Sequence, residues 1–308
     1  MGQVKVDRRL ASSMTNKQRR AYVREQTRID RERLTRERRT RRAIGWTAGA
    51  VGAVAVGVVV TFAITATMRA GQVGPENMLS DGLLLTGTSG GSTMNPTATR
   101  ALAAGEMPTQ NASSVSAGVL DIQLYLDPTK KDSATFWTAN GSTLESYVKQ
   151  GYASLELHPV ALSTSDANAI AAVAAFGCVA NDNAAGASAM WDAMLQVSIA
   201  GLTSGHYLTA ADLSKAATTA GVDDEKVTDC IDGGGFRPWA TAASERAAVS
   251  VPYAIDGNGV SKTPMLVAAG SVYTGSLSDA DALNSFLSDA FTKATAAATP
   301  SPTPTPTG

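Results

Sequence analysis

The most informative pattern of hydrophobic and polar positions lies at Val119–Trp137, VLDIQLYLDPTKKDSATFW. Its first half is dominated by apolar, β-branched and aromatic side chains, which is typical of a mostly buried strand. Asp127-Pro128 ends that strand, because proline donates no hydrogen bond to a neighbouring strand. A helical pattern follows, with Asp132 or Ser133 as the expected capping residue. The stretch therefore predicts a strand that leads directly into a helix N-terminus, where unpaired N–H groups favour an anion.

Strands and helices are also predicted in the rest of the C-terminal part of the chain, which is here called the body. Ser142-Thr143-Leu144-Glu145 matches a capping box and predicts that a second helix begins there. The further predicted elements are a strand over Tyr152–Leu162, a helical region over about 165–249, a strand over Pro264–Val272 and a helix over Asp279–Ala297. Within the helical region, separate helices are predicted near Asn168–Ala180, Ala187–Ile199, Ala210–Ala220 and Arg237–Ala248. This order predicts an α/β fold in residues 117–298, in which an α-helical domain interrupts the sheet-forming part.

Ahead of the body lies an apolar segment without any charged residue, Ala43–Met68. About 20 apolar residues are enough to span a bilayer, whereas the hydrophobic part of a secretory signal is typically about 7–15 residues long. We therefore expect a retained single transmembrane helix that precedes the α/β domain. Cleavage near Ala66 is the alternative.

The charge of the chain is unevenly distributed. Residues 1–42 carry 15 basic and 5 acidic residues, so the net charge of −1 combines an arm of +10 with a remainder of −11. Positive charge beside a membrane span stays on the cytoplasmic side. We expect a basic cytoplasmic arm, a single-pass protein of the cell membrane, and an extracytoplasmic C-terminal domain. A nucleic-acid-binding arm is the alternative, but the membrane alone explains the basic block, and no nucleic-acid partner is expected.

The segments on either side of the body have a biased composition. Residues 69–116 are rich in Gly, Ser, Thr, Asn and Pro, and are expected to be an extracytoplasmic linker. Within them, Leu83-Leu84-Leu85 is the one strand-like run, and it is able to pair at the edge of the body. Residues 299–308 form a Pro/Thr tail that is expected to be disordered.

Few residues are candidates for chemistry. The two cysteines, Cys178 and Cys230, both fall in the helical region. A structural disulfide between them would stabilise the fold by about 4 kcal/mol on the loop-entropy model, and a redox-active pair is the alternative. The two histidines, His158 and His206, have no neighbouring cluster of metal ligands, so neither a metal nor a cofactor is expected.

In order and spacing, the segments DIQLYLDP, ANGSTLESYVKQG, LELHPV, VTDCI and SKTP resemble the DsbA-like branch of the thioredoxin superfamily, in its membrane-anchored form from actinobacterial envelopes. The resemblance covers roughly Leu120–Ala290. It implies a thioredoxin-like fold with an inserted α-helical domain. It also implies a substrate groove at Thr263 and Pro264, with Pro264 as its cis-proline, and a structural disulfide between Cys178 and Cys230.

One motif of that family is missing. The family's C-x-x-C pair, which follows the first strand, aligns with Lys130, Lys131, Asp132 and Ser133. Lysine cannot form a disulfide, and serine replaces the second thiol that exchange requires. The resemblance therefore implies a degenerate site without catalytic residues. Its remaining feature is a groove that holds an extended segment in relatives, and the two lysines favour an acidic one. A vestigial groove is the alternative.

Three functions stay open at this point. The first is a redox-inactive, membrane-anchored protein that binds or scaffolds envelope proteins, with extracytoplasmic proteins or extended peptides as partners. The second is a thiol–disulfide oxidoreductase or isomerase that acts through a non-standard cysteine pair. The third is a structural subunit of a membrane complex.

Overall fold

A computed structural model describes residues 73–298 of the chain. Its strands are β1 (Leu83–Thr86), β2 (Asn95–Pro96), β3 (Leu120–Leu126), β4 (Ala153–Pro159), β5 (Met265–Ala268) and β6 (Ser271–Val272). Its helices are α1 (Lys131–Lys149), α2 (Ala167–Asp182), α3 (Ala187–Ser204), α4 (Leu213–Ala220), α5 (Glu225–Asp232), α6 (Arg237–Val249) and α7 (Ala280–Ala298). Short 3-10 turns lie at Val115–Ala117, Ala184–Gly186 and Ala210–Asp212.

One mixed sheet organises these elements in the order β2-β1-β4-β3-β5-β6. The two central strands, β3 and β4, are parallel, and α1 makes the connection between them. All other pairs in the sheet are antiparallel. The helices α2–α6 are inserted between β4 and β5, so the predicted α/β sheet with a helical insert is present.

Alternation along β3 and β4 gives the sheet two different faces. Ile122, Leu124 and Leu157 belong to the main hydrophobic core, which also contains Phe136 and Leu144 of α1. The opposite face of the same two strands carries polar side chains and a smaller apolar cluster around Tyr125 and Val267. Side chains of a strand point alternately to either face, so a single buried strand supplies both environments.

Aromatic side chains join the insert to α1. Trp191 of α3 packs edge-on against Trp137 of α1, with ring centroids 6.1 Å apart, and against Phe176 of α2 at 5.4 Å. Such edge-to-face pairs add to the stabilisation that burial of the rings gives. The insert is therefore packed directly on the helix whose N-terminus was singled out in the sequence.

The segment expected to be a linker is partly folded. β1 pairs with β4, and the side chains of Met78, Leu83 and Leu102 are buried. Asp81 also accepts hydrogen bonds from Arg246, at 2.5 and 2.6 Å, and from the indole of Trp239 at 3.0 Å. The folded domain therefore begins before residue 117. Few but well-spaced apolar residues sufficed to recruit a segment that is otherwise rich in Gly, Ser and Thr.

Several predicted boundaries change. Helix α1 runs without interruption through Ser142, so the capping-box pattern there does not start a new helix. The predicted strand Pro264–Val272 is a short hairpin, because Ala269 and Gly270, both with positive φ, turn the chain between β5 and β6. Helix α5 was not among the predicted elements of the insert.

Two expectations concern residues beyond this range. The predicted span Ala43–Met68 and the basic arm 1–42 lie outside the described residues, as does the tail 299–308. Within residues 73–298, no helix combines the length and the apolar character that crossing a bilayer requires.

Candidate functional site

The turn between β3 and α1 is held by a buried carboxylate. Asp127 is fully buried, and its Oδ1 accepts hydrogen bonds from the amide of Thr129 at 3.0 Å and from the Thr129 hydroxyl at 2.5 Å. Its Oδ2 accepts one from the amide of Leu162 at 3.1 Å, which ties the turn to the chain beyond β4. These bonds fix the backbone just ahead of the helix.

The helical insert supports the same turn from the other side. Ser198, fully buried on α3, donates a hydrogen bond to the carbonyl of Pro128 at 2.5 Å and accepts one from the amide of Leu208 at 3.3 Å. A buried carbonyl without a partner is costly, so this contact stabilises the position of Pro128. No pattern along the chain indicates this role for Ser198.

Helix α1 begins earlier than predicted. Lys130 is its N-cap, with φ −105° and ψ 144°, and Lys131 is its first residue, so the expectation that Asp132 or Ser133 caps the helix is wrong. The side chain of Lys130 forms no capping hydrogen bond. It turns instead to Asp166, the N-cap of α2, with Nζ and Oδ2 2.8 Å apart, and stands 3.9 Å from Asp127 Oδ2.

The charges of this cluster compensate each other. Burial raises the pKa of Asp127, although its hydrogen bonds and Lys130 oppose the rise. Partial burial lowers the pKa of Lys130, but Asp166 and Asp127 more than offset this, so it is raised overall. The hydrogen bond from Lys130 holds the pKa of Asp166 below its usual range. Lys130 is therefore a paired ammonium rather than a free positive charge.

The predicted groove residues lie beside the helix N-terminus. The Thr263–Pro264 peptide bond is cis. Because β3 and β5 are antiparallel, with Tyr125 opposite Met265, the start of β5 lies at the end of β3 where α1 begins. The hydroxyl of the fully buried Ser133 donates to that of Thr263 at 3.4 Å. Two predicted positions from distant parts of the chain thus meet.

The chain that leads into Pro264 keeps unused backbone groups. Within the described part of the chain, no backbone hydrogen bond involves the amide or carbonyl groups of Ser261, Lys262 or Thr263. The side chains of Lys262 and Lys131 are exposed, and neither forms an ion pair with another described residue. The segment therefore combines unpaired backbone groups with the positive charge of Lys262.

The cysteines occupy a different part of the molecule. Cys178 of α2 and Cys230 of α5 form a disulfide, with Cα atoms 5.8 Å apart. Cys178 is fully buried. The bond joins two helices of the insert, as a structural disulfide does, and neither helix carries Ser133 or Thr263.

The histidines are likewise apart from this site. His158 is buried and stacks on Tyr125 with ring centroids 4.3 Å apart, while His206 is exposed and lies 3.1 Å from Asp212. Among residues 73–298, no three His, Cys, Asp or Glu side chains converge as metal ligands.

A family model described as thioredoxin matches residues 121–289. No curated protein matches. Among solved structures, MdbA, a thiol-disulfide oxidoreductase from Actinomyces oris, is 16% identical; the match covers 59% of this chain and 84% of that one, with a TM-score of 0.48. Reduced DsbA from Mycobacterium tuberculosis is 21% identical, covering 71% and 100% at a TM-score of 0.47. Reduced DsbG from the same organism is 23% identical, covering 59% and 86% at 0.44.

Proposed function

Because the chain belongs to the thioredoxin family, we propose that it is a redox-inactive member, anchored in the cell membrane, that binds extended acidic segments of other extracytoplasmic proteins. Its mixed α/β fold with a helical insertion is thioredoxin-like. The observation that carries the proposal is the composition of the site at the N-terminus of α1. The elements suited to holding a peptide are present there, and sulfur is absent.

The proposed redox inactivity rests on the chemistry of disulfide exchange. Exchange needs a thiolate that attacks and a second thiol that resolves the mixed disulfide. The chain has 2 cysteines, and both are used in the Cys178–Cys230 disulfide. Cys178 is fully buried and Cys230 is half-buried, so an incoming thiolate would have direct access to Cys230 alone. The degenerate motif, Lys130 to Ser133, therefore supports a protein without exchange activity.

The proposed peptide binding rests on recognition by strand addition, in which an extended peptide pairs with the backbone of the protein. Main-chain hydrogen bonds supply affinity in this mode, and neighbouring side chains select the sequence. The free backbone groups of residues 261–263 provide the first requirement. The exposed Lys131 and Lys262, close to the positive end of the α1 dipole, provide the second and favour acidic residues.

The proposed membrane anchor rests on the N-terminal sequence. The uncharged segment Ala43–Met68 is long enough to cross a bilayer, and the basic arm 1–42 favours a cytoplasmic N-terminus. The thioredoxin-like domain would then stand on the extracytoplasmic side.

Binding of labelled peptides tests the ligand. The full-length protein is titrated into a short peptide of alternating Asp and Ser, and into its Lys–Ser counterpart, with fluorescence anisotropy as the readout. We expect the acidic peptide alone to bind, more weakly at higher salt. Lys131→Glu combined with Lys262→Glu should weaken binding about tenfold. The matched exposed pair Lys215→Glu and Lys226→Glu should leave it unchanged. Equal binding of both peptides would contradict the proposal.

Insulin reduction tests the absence of exchange. The full-length protein, supplied with dithiothreitol, should not accelerate precipitation of insulin chains beyond the rate of dithiothreitol alone. Turnover that Cys230→Ser abolishes would overturn the proposal in favour of an enzyme that works through Cys178 and Cys230.

A further inference from the structure

A polar cavity of about 340 Å³ lies on the face of the central strands away from α1. Its floor is formed by Asp121 and Gln123 of β3 and by Ser154 and Glu156 of β4. The register places Asp121 opposite Ser154 and Gln123 opposite Glu156, so the four side chains form one continuous patch. The volume falls within the range of about 300–1,000 Å³ that small-molecule sites occupy.

Hydrogen bonds fix the walls around this floor. The hydroxyl of Ser113 and the amide of Ser114 donate to Asp121 Oδ2, at 2.6 and 2.9 Å. On the other side, Tyr253 donates to Glu156 Oε1 at 3.1 Å and accepts from the amide of Asn111 at 3.2 Å. Both walls are thereby bound to carboxylates of the floor, so the cavity is a built feature of the domain.

Two buried groups in the floor lack partners. Gln123 is 6% exposed, and its side-chain amide makes no hydrogen bond to any described residue. Glu156 is 1% exposed; it accepts bonds from Ser80 and Tyr253, both on Oε1. His158 Nε2 is also 3.2 Å from that same Oε1, without hydrogen-bond geometry. Glu156 Oε2 thus accepts nothing from the described residues.

These groups are open to the cavity. The described side-chain atoms that are both fully enclosed and without a hydrogen bond are Asn140 Oδ1, His158 Nε2 and Trp191 Nε1. The Gln123 amide and Glu156 Oε2 are not among them, so each has access to the space they line. A ligand that enters this space can therefore form hydrogen bonds with the Gln123 amide and with Glu156 Oε2.

The charge of the lining selects the class of ligand. Asp121 and Glu156 contribute carboxylates, and none of the residues around the cavity is lysine, arginine or histidine. Burial alone would raise the pKa of Glu156, but His158, Ser80 and Tyr253 outweigh it and lower the pKa, which favours the ionised form. A cation is therefore favoured.

We propose that this cavity binds a small organic molecule through a primary ammonium group, which donates hydrogen bonds to Glu156 Oε2 and to the side-chain oxygen of Gln123. A calcium ion fits less well. It takes six to eight oxygen ligands, whereas two carboxylates face this space and one of them, Asp121, already accepts three groups. The site lies on the opposite face of the sheet from the core that α1 packs against, and it does not depend on the proposed peptide binding.

Calorimetry with the full-length protein tests the site. The probes are n-butylammonium chloride, 1-butanol as its neutral counterpart, and calcium chloride. We expect saturable binding of the ammonium alone. Gln123→Met removes the amide and keeps the length of the side chain, so affinity should fall about tenfold. Gln196→Met, at an exposed position of α3, is the matched control and should bind as the unaltered protein does.

A second measurement uses the unaltered protein and tests the site even if Gln123→Met fails to fold. In the unaltered protein, n-butylammonium should shift the backbone amide resonances of residues 110–114 and Gly270, which line the cavity, and leave those of residues 261–263 unchanged. Binding of 1-butanol with equal affinity, binding of calcium in place of the ammonium, or absence of binding would each overturn the proposal. None of these outcomes alters the peptide-binding test.

Discussion

Among the described carboxyl groups, Asp192 has a raised pKa whose effect on stability can be measured. It lies on α3 and accepts a hydrogen bond from the Trp137 indole at 3.0 Å. Burial and the neighbouring Glu145 carboxylate raise its pKa to about 7, against the opposing effects of Trp137 and Lys149. The folded protein thus retains a proton here that the unfolded chain releases above about pH 4.

The stability of the folded protein should therefore fall as the pH rises through this range. The contribution of protonated Asp192 to the free energy of unfolding is complete below about pH 4 and is lost as the pH rises towards 7. Between pH 5 and pH 8, the unaltered protein should lose about 1–2 kcal/mol more stability than Asp192→Asn, allowing for solvent screening. Urea denaturation at both pH values measures this difference. Equal losses would contradict it, and the exposed Asp289→Asn should behave as the unaltered protein.

At the same scale, some residues of the site could be predicted from the sequence and others could not. Pro264 and the cysteine pair were identifiable because each belongs to a motif with fixed neighbours. Asp166 has the local signature of an N-cap, but its ion pair with Lys130 joins positions far apart in the chain. Ser198 and Gln123 carried no signal, because their roles depend on which backbone or cavity the fold brings next to them.

At the scale of elements, the start of α1 bears on the proposed alignment of Lys130–Ser133 with the C-x-x-C pair of the family. Lys130 is the N-cap, and Ser133 is the third residue of the helix. Side chains at the N-cap and third positions face each other, which is the basis of the capping box. The geometry that a C-x-x-C pair needs is therefore compatible with residues 130 and 133.

Restoring the sulfur tests this alignment. Lys130→Cys, Lys131→Pro and Ser133→Cys together should form a disulfide that dithiothreitol reduces, and the helix N-terminus should make the first thiol reactive. Mass spectrometry after alkylation counts the free thiols. The pair Asp132→Cys and Thr135→Cys has the same spacing within the helix, where Cβ atoms stand about 5–6 Å apart, and should stay reduced. If the restored pair also stays reduced, the motif lies elsewhere.

The elements also mark the limit of local signals. The capping-box pattern at Ser142 is genuine, yet the helix continues through it because Leu144 and Val148 are buried on the same face as Phe136. Tertiary packing outweighs a terminal signal worth about 1 kcal/mol. Helix α5 was missed for the opposite reason: it is short and buries a single side chain, Val227.

At the scale of the whole molecule, residues 73–116 belong to the domain rather than to a spacer. Asp81 connects this segment to α6 through Arg246 and Trp239. The composition of the segment suggested a linker, since the apolar residues that pack, such as Met78 and Leu85, are scattered among Gly, Ser and Thr. Only the tertiary contacts reveal that they form part of one core.

Breaking this connection should destabilise the entire domain. Asp81 has a positive φ of 64°, which asparagine also tolerates, so Asp81→Asn removes the charge without altering the backbone. It removes the negative charge that faces the mostly buried guanidinium of Arg246, and should lower the free energy of unfolding by about 3 kcal/mol. Urea denaturation measures the change, and Asp223→Asn, at an exposed position, is the control. A change below about 0.5 kcal/mol would mean that the segment is peripheral.

The most direct test of the central proposal is where a bound acidic peptide lies. A photoreactive amino acid is placed at position 262 of the full-length protein, and in a control at position 226. Both proteins are irradiated with the Asp–Ser peptide, and the adducts are quantified by mass spectrometry. A thioredoxin-family protein that binds peptides without thiol chemistry should yield an adduct from position 262 that unlabelled peptide suppresses, with the Cys178–Cys230 disulfide intact. Equal adducts from position 226, or none from position 262, would contradict it.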